Sequence, residues 1–173
     1  MVAGLVALAT AGIAKGKGDP WPGAQKQLHY PVYKPANTLG LTLAGFQIQP
    51  CGAGKDGSIF ASYGRGSSPT GFGKYRGFML GEASPFQCSD FGDATRVGTR
   101  TVNGLQAEVF AYCDPPGSKC AFADGVTHGY VVRWHQPAPT TGTLRKRTLI
   151  TLLSSRLTFP ELLKIAAGLT RVG

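Results

Sequence analysis

Residues 98–109 read GTRTVNGLQAEV, and this stretch decides the fold class. Asn103-Gly104 supports the positive φ angles of a type I′ turn, whose twist matches that of two antiparallel strands. A two-residue turn also fixes the register of the hairpin. The predicted pairs are Val102 with Leu105, Thr101 with Gln106, Arg100 with Ala107, Thr99 with Glu108, Gly98 with Val109, and Val97 with Phe110.

Two more strands and a helix follow the hairpin. In residues 130–134 (YVVRW), alternation puts Tyr130, Val132 and Trp134 on one face, which we expect to be the core, and Arg133 with His135 on the other. Residues 148–155 are apolar in their centre, as in a central strand covered on both faces. Thr158-Phe159-Pro160-Glu161 matches a capping box. It begins a helix with an apolar stripe through Leu162, Ile165, Ala166 and Leu169.

The first half of the chain predicts shorter elements. Residues 30–35 are extended because each residue before a proline is pushed out of the helical region. Further strands are expected within 39–49, with Leu41, Leu43 and Ile48 pointing inward, and at 58–63 and 78–80. The prediction is an α+β fold: a curved antiparallel sheet of about five to seven strands with a C-terminal helix packed on it. We expect one domain over residues 30–173, preceded by a polar, Gly/Pro-rich linker over 15–29.

The N-terminus indicates export. Residues 2–14 (VAGLVALATAGIA) are small and apolar, too short to span a membrane alone. They resemble the apolar part of a secretory signal, with Ala9-Thr10-Ala11 as a cleavage site. The alternatives are the tail of a longer membrane helix or an ordinary buried helix. We therefore expect an extracytoplasmic protein, either periplasmic, secreted or membrane-anchored, with residues 1–14 as its signal-like or anchoring segment.

Four cysteines fit this compartment, because exported proteins form disulfides. Cys113 and Cys120 flank the turn sequence DPPGSK, so we expect that bridge, which leaves Cys51 to pair with Cys88. A Cys-x6-Cys spacing followed by His128 and His135 is a poor zinc site, and no metal or other cofactor is expected.

No motif of covalent catalysis is present, and Gly-x-Ser-x-Gly is missing. A set such as Ser89, His128 and Asp124 would have to assemble in the fold. Asp90 and Asp93 are the nearest carboxylate pair, at a spacing that is more typical of turn chemistry.

The net charge of +9 can attract an anionic polymer. Aromatic residues alternate with bases in residues 71–77 (GFGKYRG), a combination that can stack bases and hold phosphates. The alternative is an ordinary solvated surface. The possible polyanion-binding residues are Arg65, Lys74, Arg76, Arg145, Lys146 and Arg147.

The order of elements resembles a known family. The resemblance rests on five stretches: the Tyr/Pro-rich segment at 30–35, NGLQAEV at 103–109, YVVRW at 130–134, the strand at 149–155 and TFPELLKIA at 158–166. They resemble an uncharacterised extracytoplasmic domain of bacterial envelope proteins, also found at the C-terminal end of some membrane-anchored anti-sigma factors. The resemblance implies a fold like half of the lipoprotein-carrier type and supplies no catalytic residues.

Two function classes follow from these observations. The first is a non-enzymatic binding or sensing domain of the cell envelope that uses the concave face of its sheet for a peptide, lipid or partner protein. The second is a hydrolase whose site assembles only in the fold. Binding of an anionic polymer is a third alternative.

Overall fold

The main element of the protein is a seven-stranded antiparallel sheet. The computed structural model describes residues 18–50, 56–65, 74–84, 91–114, 119–139 and 146–173. The strands within these ranges are β1 (Tyr33–Pro35), β2 (Leu43–Pro50), β3 (Gly57–Gly64), β4 (Gly77–Ala83), β5 (Thr95–Val102), β6 (Leu105–Ala111), β7 (Tyr130–Gln136), β8 (Thr148–Ser155) and β9 (Leu169–Arg171). The helices are α1 (Trp21–Gln27), α2 (Asp124–His128) and α3 (Phe159–Ala167).

The strand order is β2-β3-β4-β8-β7-β6-β5, and β1 pairs separately with β9. Strand β8 lies at the centre, and all eight of its residues are buried, which confirms the prediction of a strand covered on both faces. The described part of the chain is mostly β, with an open sheet whose edges are β2 and β5. The predicted antiparallel sheet and C-terminal helix are therefore confirmed, whereas the predicted curvature stays a prediction.

The two faces of the sheet differ in composition. One register row runs Ala61, Leu80, Leu152, Val132 and Val109, all of them buried in the core; we call this the inner face. The neighbouring row points the other way because side chains alternate along a strand. This outer-face row consists of Phe60, Gly81, Thr151, Arg133 and Glu108.

The hairpin has the predicted register near its turn. Asn103 and Gly104 have φ angles of 49° and 79°, as a type I′ turn requires. The five predicted pairs from Val102–Leu105 to Gly98–Val109 are all present. The sixth prediction is wrong: Arg96, not Val97, lies opposite Phe110, because a bulge between Arg96 and Gly98 inserts one extra residue.

The inner face carries the core. Tyr130, Val132 and Trp134 are buried there, as the alternation in β7 predicted. The capping box is confirmed: the Thr158 hydroxyl accepts from the Glu161 N–H, and the Glu161 carboxylate accepts from the Thr158 N–H at 2.8 Å. Leu162, Ile165 and Ala166 of α3 belong to the same buried cluster as the inner-face residues, and the Phe159 ring lies 5.1 Å from that of Tyr130. Leu169, predicted on the same helical stripe, lies instead at the start of β9 and is half-buried.

Part of the predicted linker is wrong. Residues 21–27 form α1, and Trp21 is 4% exposed with its ring edge-on to Phe46 at 5.0 Å. The Gln25 side chain donates to Tyr30 O and accepts from Val32 N, which joins α1 to the next segment. The Gly/Pro-rich composition hid this helix, although proline is favourable in a first helical turn. Residues 1–17 lie outside the described part of the chain.

One inward prediction in the first half is also wrong. Leu43 is 38% exposed, because it begins the edge strand β2, whereas Phe46 and Ile48 pack against the core.

A buried carboxyl interrupts the apolar inner face. Glu82 lies between Ile59 and Ile150 in the register and is 2% exposed. Its carboxyl oxygens accept from the Tyr33 N–H at 3.0 and 3.2 Å. Burial raises the pKa of Glu82 well above its usual value, and the hydrogen bond from Tyr33 offsets only part of that rise.

A second carboxyl has the opposite shift. Asp56, just before β3, accepts from His29 Nδ1 at 2.8 Å and from the Lys146 ammonium. Burial by itself would raise the pKa of Asp56, but the hydrogen bonds from Lys146 and His29 outweigh it, so the pKa is lowered. This cluster ties the segment after α1 to the starts of β3 and β8.

We expect Glu82→Gln to stabilise the protein at neutral pH. The folded chain retains the Glu82 proton at pH values where an unfolded carboxyl has lost it, so stability falls as pH rises above about 4.3. The amide keeps an acceptor for the Tyr33 N–H and stays uncharged. The free energy of unfolding from urea titrations should exceed that of the wild type by about 1 kcal/mol or more at pH 7.5, and by little at pH 4.

Asp56→Asn is the matched control, with the opposite sign. Its lowered pKa contributes stability that is present above the unfolded pKa and is lost as pH falls through the folded pKa. The variant should be less stable than the wild type at pH 7.5 and equal to it near pH 2. A Glu82→Gln difference that does not change with pH would contradict the argument.

Candidate ligand-binding site

An open cavity of about 410 Å³ lies beside strands β6, β7 and β8. A volume of this size is within the range of small-molecule sites. The register explains part of its composition, because His135 pairs with Leu149 and Arg133 pairs with Glu108 on the outer face. Leu105 and Trp134, by alternation, belong to the inner-face side of β6 and β7. The residues that line it are Leu105, Gln106, Glu108, Arg133, Trp134, His135 and Leu149.

An ion-pair network fixes one wall of the cavity. The Glu108 carboxylate accepts from Arg133 Nη2 at 2.8 Å, and Arg96 Nε lies 3.3 Å from its other oxygen. Exposed pairs of this kind add little stability. Their consequence here is geometric: Glu108 holds the Arg133 guanidinium in one place.

Aromatic rings hold the same guanidinium from another side. Arg133 Cζ lies 5.2 Å from the Phe91 ring centroid and 5.1 Å from that of Phe110, within the range of cation–π attraction. The two rings contact each other edge to face at 4.9 Å. Arginine has five N–H donors in a planar fork, so a guanidinium held in this way is suited to bind a carboxylate.

His135 adds a neutral polar group. Partial burial lowers its pKa, and the positive charges of Arg147 and Arg133 lower it further, against the raising effect of Glu108. Since an ordinary histidine has a pKa near 6.5, His135 is uncharged at pH 7. Among the described residues, the charges that act around the cavity are then Arg96, Arg133 and Arg147 against the carboxylate of Glu108.

A buried hydroxyl lies next to this wall. Thr151 pairs with Arg133 in the register and so shares the outer face with it. It is 4% exposed, and its Oγ1 has no hydrogen-bond partner among the described residues. An unsatisfied buried hydroxyl costs roughly 1–3 kcal/mol; Ser58 in β3 is in the same situation, and Thr151 is not among the residues that line the cavity.

The predicted basic residues fall into two groups. Arg65 and Lys74 lie over the ring of Tyr75, and Arg76 pairs with Glu161 at 2.7 Å. Lys146 and Arg147 precede β8, whereas Gly77, next to Arg76, pairs with Ser155 at the other end of that strand. Eight residues of strand separate the groups by roughly 25 Å. Arg145 lies outside the described residues.

The described members of the predicted catalytic sets do not form a site together. Asp124 Oδ2 accepts from Ala121 N at 2.7 Å, a local turn contact, and His128 ends α2. Asp93 is exposed. Ser89 and Asp90 lie outside the described residues. In the described ranges, no three His, Cys, Asp or Glu side chains are grouped so that they could hold a metal ion.

The predicted bridge between Cys113 and Cys120 is confirmed, with Cα atoms 5.6 Å apart. Cys51 and Cys88 fall outside the part of the chain that the structure describes.

Two contacts of possible functional importance were not predicted from the sequence: Glu108 with Arg133, and His29 with Asp56. The hairpin register predicts Glu108 on the face of Thr99. Its contact with Arg133, however, depends on the register of β6 against β7, which no short turn fixes. The His29–Asp56 pair joins residues 27 positions apart, and no spacing motif announces it.

Comparison with known proteins gives no assignment: no family model, no curated protein and no solved structure matches this chain. None of the helices within the described residues has the length and apolar character needed to cross a membrane.

We expect Arg147→Gln to raise the pKa of His135, because it removes a positive charge that disfavours the imidazolium. Glu108→Gln should lower the same pKa, because it removes the negative charge that raises it. Both changes are measured by NMR titration of the His135 ring protons, with His128 as the internal reference. A shift of the same sign in both variants would contradict the proposed charge arrangement.

Proposed function

We propose that this protein is an exported ligand-binding domain of the cell envelope, and that the cavity beside β6, β7 and β8 binds a small amphipathic ligand with one anionic group. The observation that carries the proposal is the Arg133 guanidinium, held by Glu108, Phe91 and Phe110 in the wall of the cavity. A charge-assisted hydrogen bond to a carboxylate is the strongest contact that such a group offers.

The remaining lining supports an amphipathic ligand rather than a simple ion. Leu105 and Leu149 provide apolar surface, and the neutral His135 and Gln106 provide hydrogen bonds without charge. The excess of arginine over glutamate around the cavity favours a ligand of negative charge. In this proposal helix α3 covers the inner face of an α+β domain, which leaves the outer face for the ligand.

Export is supported by the apolar residues 2–14, the Cys113–Cys120 bridge and the resemblance to extracytoplasmic envelope domains. A sensing role like that of the anti-sigma-associated domains belongs to the same proposal, with an envelope protein, peptide or lipid as the source of the ligand.

A hydrolase is the second candidate, favoured by the His29–Asp56 pair. The buried carboxylate orients an imidazole that is 70% exposed, which is the arrangement of a general base. None of the described serine, threonine or cysteine side chains is hydrogen-bonded to His29, so this candidate lacks a nucleophile and is placed second.

The test uses naphthalene-2-carboxylate and its neutral amide as matched probes. We expect the carboxylate to shift the backbone NMR signals of residues 105–108 and 133–135, and the amide to bind at least tenfold more weakly. Arg133→Gln should weaken carboxylate binding by at least tenfold, about 1.4 kcal/mol, which is the magnitude of a charge-assisted hydrogen bond.

Two further variants complete the design. Gln106→Trp fills the cavity from an exposed position and should abolish binding even if Arg133→Gln is unstable. Arg65→Gln makes the same charge change far from the cavity and should leave affinity unchanged. Equal binding of the two probes, or equal losses for Arg65→Gln and Arg133→Gln, would contradict the proposed site.

A further inference from the structure

The two edges of the main sheet are protected to different degrees. Strand β5 carries Arg96 and Arg100 and a bulge between Arg96 and Gly98. Charges and bulges are the features by which proteins keep an edge strand from pairing with another chain. Strand β2 reads LAGFQIQP and has no charged residue along its eight positions.

The outer edge of β2 is open within the described residues. β2 pairs with β3 along its whole length, from Leu43–Tyr63 to Pro50–Gly57, and no described strand pairs with its other side. A bulge between Leu43 and Gly45 and the proline at position 50 limit the regular part to residues 46–49. In such a strand, alternate residues direct both N–H and C=O groups away from the sheet.

Two cations lie beyond the N-terminal end of β2. The Gly64 N–H donates to Thr42 O at 2.9 Å, so Arg65 comes directly next to that end. Arg65 Cζ and Lys74 Nζ lie 6.0 and 5.3 Å from the centroid of the Tyr75 ring. Neither cation has an ion-pair partner among the described residues, whereas the neighbouring Arg76 is neutralised by Glu161.

The backbone that carries this ring is held in place. The Ser155 hydroxyl donates to the Tyr75 carbonyl at 2.7 Å, which attaches the turn to the end of β8. The Tyr75 side chain is 39% exposed. The sheet edge therefore ends beside a pair of positive charges that are accessible to a partner.

We propose that β2 accepts an extended segment of a partner protein as an additional antiparallel strand, and that the carboxyl-terminal end of this segment is acidic. Antiparallel pairing continues the pattern of the sheet and brings the end of the segment to Arg65 and Lys74. Backbone hydrogen bonds along residues 46–49 supply affinity, as in other cases of strand addition, and the charges fix the register.

Charge argues against a second copy of this chain as the occupant. Each copy carries a net charge of +9. Symmetric pairing of two β2 strands would place Arg65 of one copy near the Pro50 end of the other. The acid next to that end, Asp56, is buried and already bound by Lys146 and His29.

The experiment titrates the full chain with an acetylated peptide of sequence QVTVTQDD, followed by hydrogen exchange and fluorescence anisotropy. The control peptide has the same composition, but both of its aspartates are at the amino end and its C-terminus is amidated. We expect the first peptide to protect amides within residues 46–49, leave β5 unaffected and bind at least tenfold more tightly than the control. Its affinity should also fall as salt rises.

Paired variants separate charge from fold. Arg65→Gln with Lys74→Gln should weaken the first peptide at least tenfold, whereas Lys26→Gln with Lys164→Gln, which removes two other exposed cations, should not. The proposal is overturned by equal affinity for the two peptides, by protection of β5 instead of β2, or by no binding at 1 mM peptide. It is also overturned if the chain alone forms a dimer through β2 in sedimentation.

Discussion

The burial of β8 on both faces is the constraint on which the rest of the structure depends. A strand in this position must satisfy every polar group without water. Four of its eight residues are Thr or Ser, and three of these side chains bind backbone groups of other segments. Thr148 donates to Pro31 O, Ser154 accepts from Tyr130 N, and Ser155 donates to Tyr75 O.

These three hydroxyls attach distant parts of the chain to the centre of the sheet. Through them the N-terminal segment, the start of β7 and the turn before β4 are all positioned by one strand. The fourth residue, Thr151, has no such partner in the described part of the chain. Thr151 pairs with Arg133 on the outer face, so the one unsatisfied hydroxyl of β8 lies next to the candidate ligand site without lining it. Hydrogen bonding therefore accounts for three of the four positions.

The predictable features are those in which a local rule acts alone. Asn103-Gly104 fixes its own turn and register, and Thr158 with Glu161 caps its own helix. The failures occur where distant segments decide. The Gly/Pro-rich composition of residues 15–29 does not predict α1, whose helix depends on Trp21 packing against Phe46. The bulge at Arg96 shifts a strand pair that the turn alone would have placed differently.

Only part of the candidate site could be predicted from the sequence, for the same reason. Alternation in β7 puts Arg133 and His135 on one face, and the hairpin register puts Glu108 on a known face of β6. Residues 112–129 separate these strands, and a connection of this length leaves their relative register open. The meeting of Arg133 with Glu108 is thus a property of the whole sheet and not of any motif.

The distribution of charge separates the two proposed binding modes. Several cations have a local partner: Arg76 binds Glu161, Lys146 binds Asp56, and Arg96 and Arg133 share Glu108. Among the described cations that form no ion pair, Arg147 lies beside the cavity and Arg65 and Lys74 lie at the end of β2, while others, such as Lys26 and Lys164, are exposed elsewhere. Since paired charges contribute little to long-range attraction, the cavity and the end of β2 each keep unpaired positive charge of their own that can attract an anion. A small anion and an acidic peptide would then reach different surfaces, one on the outer face and one at the edge, without competing.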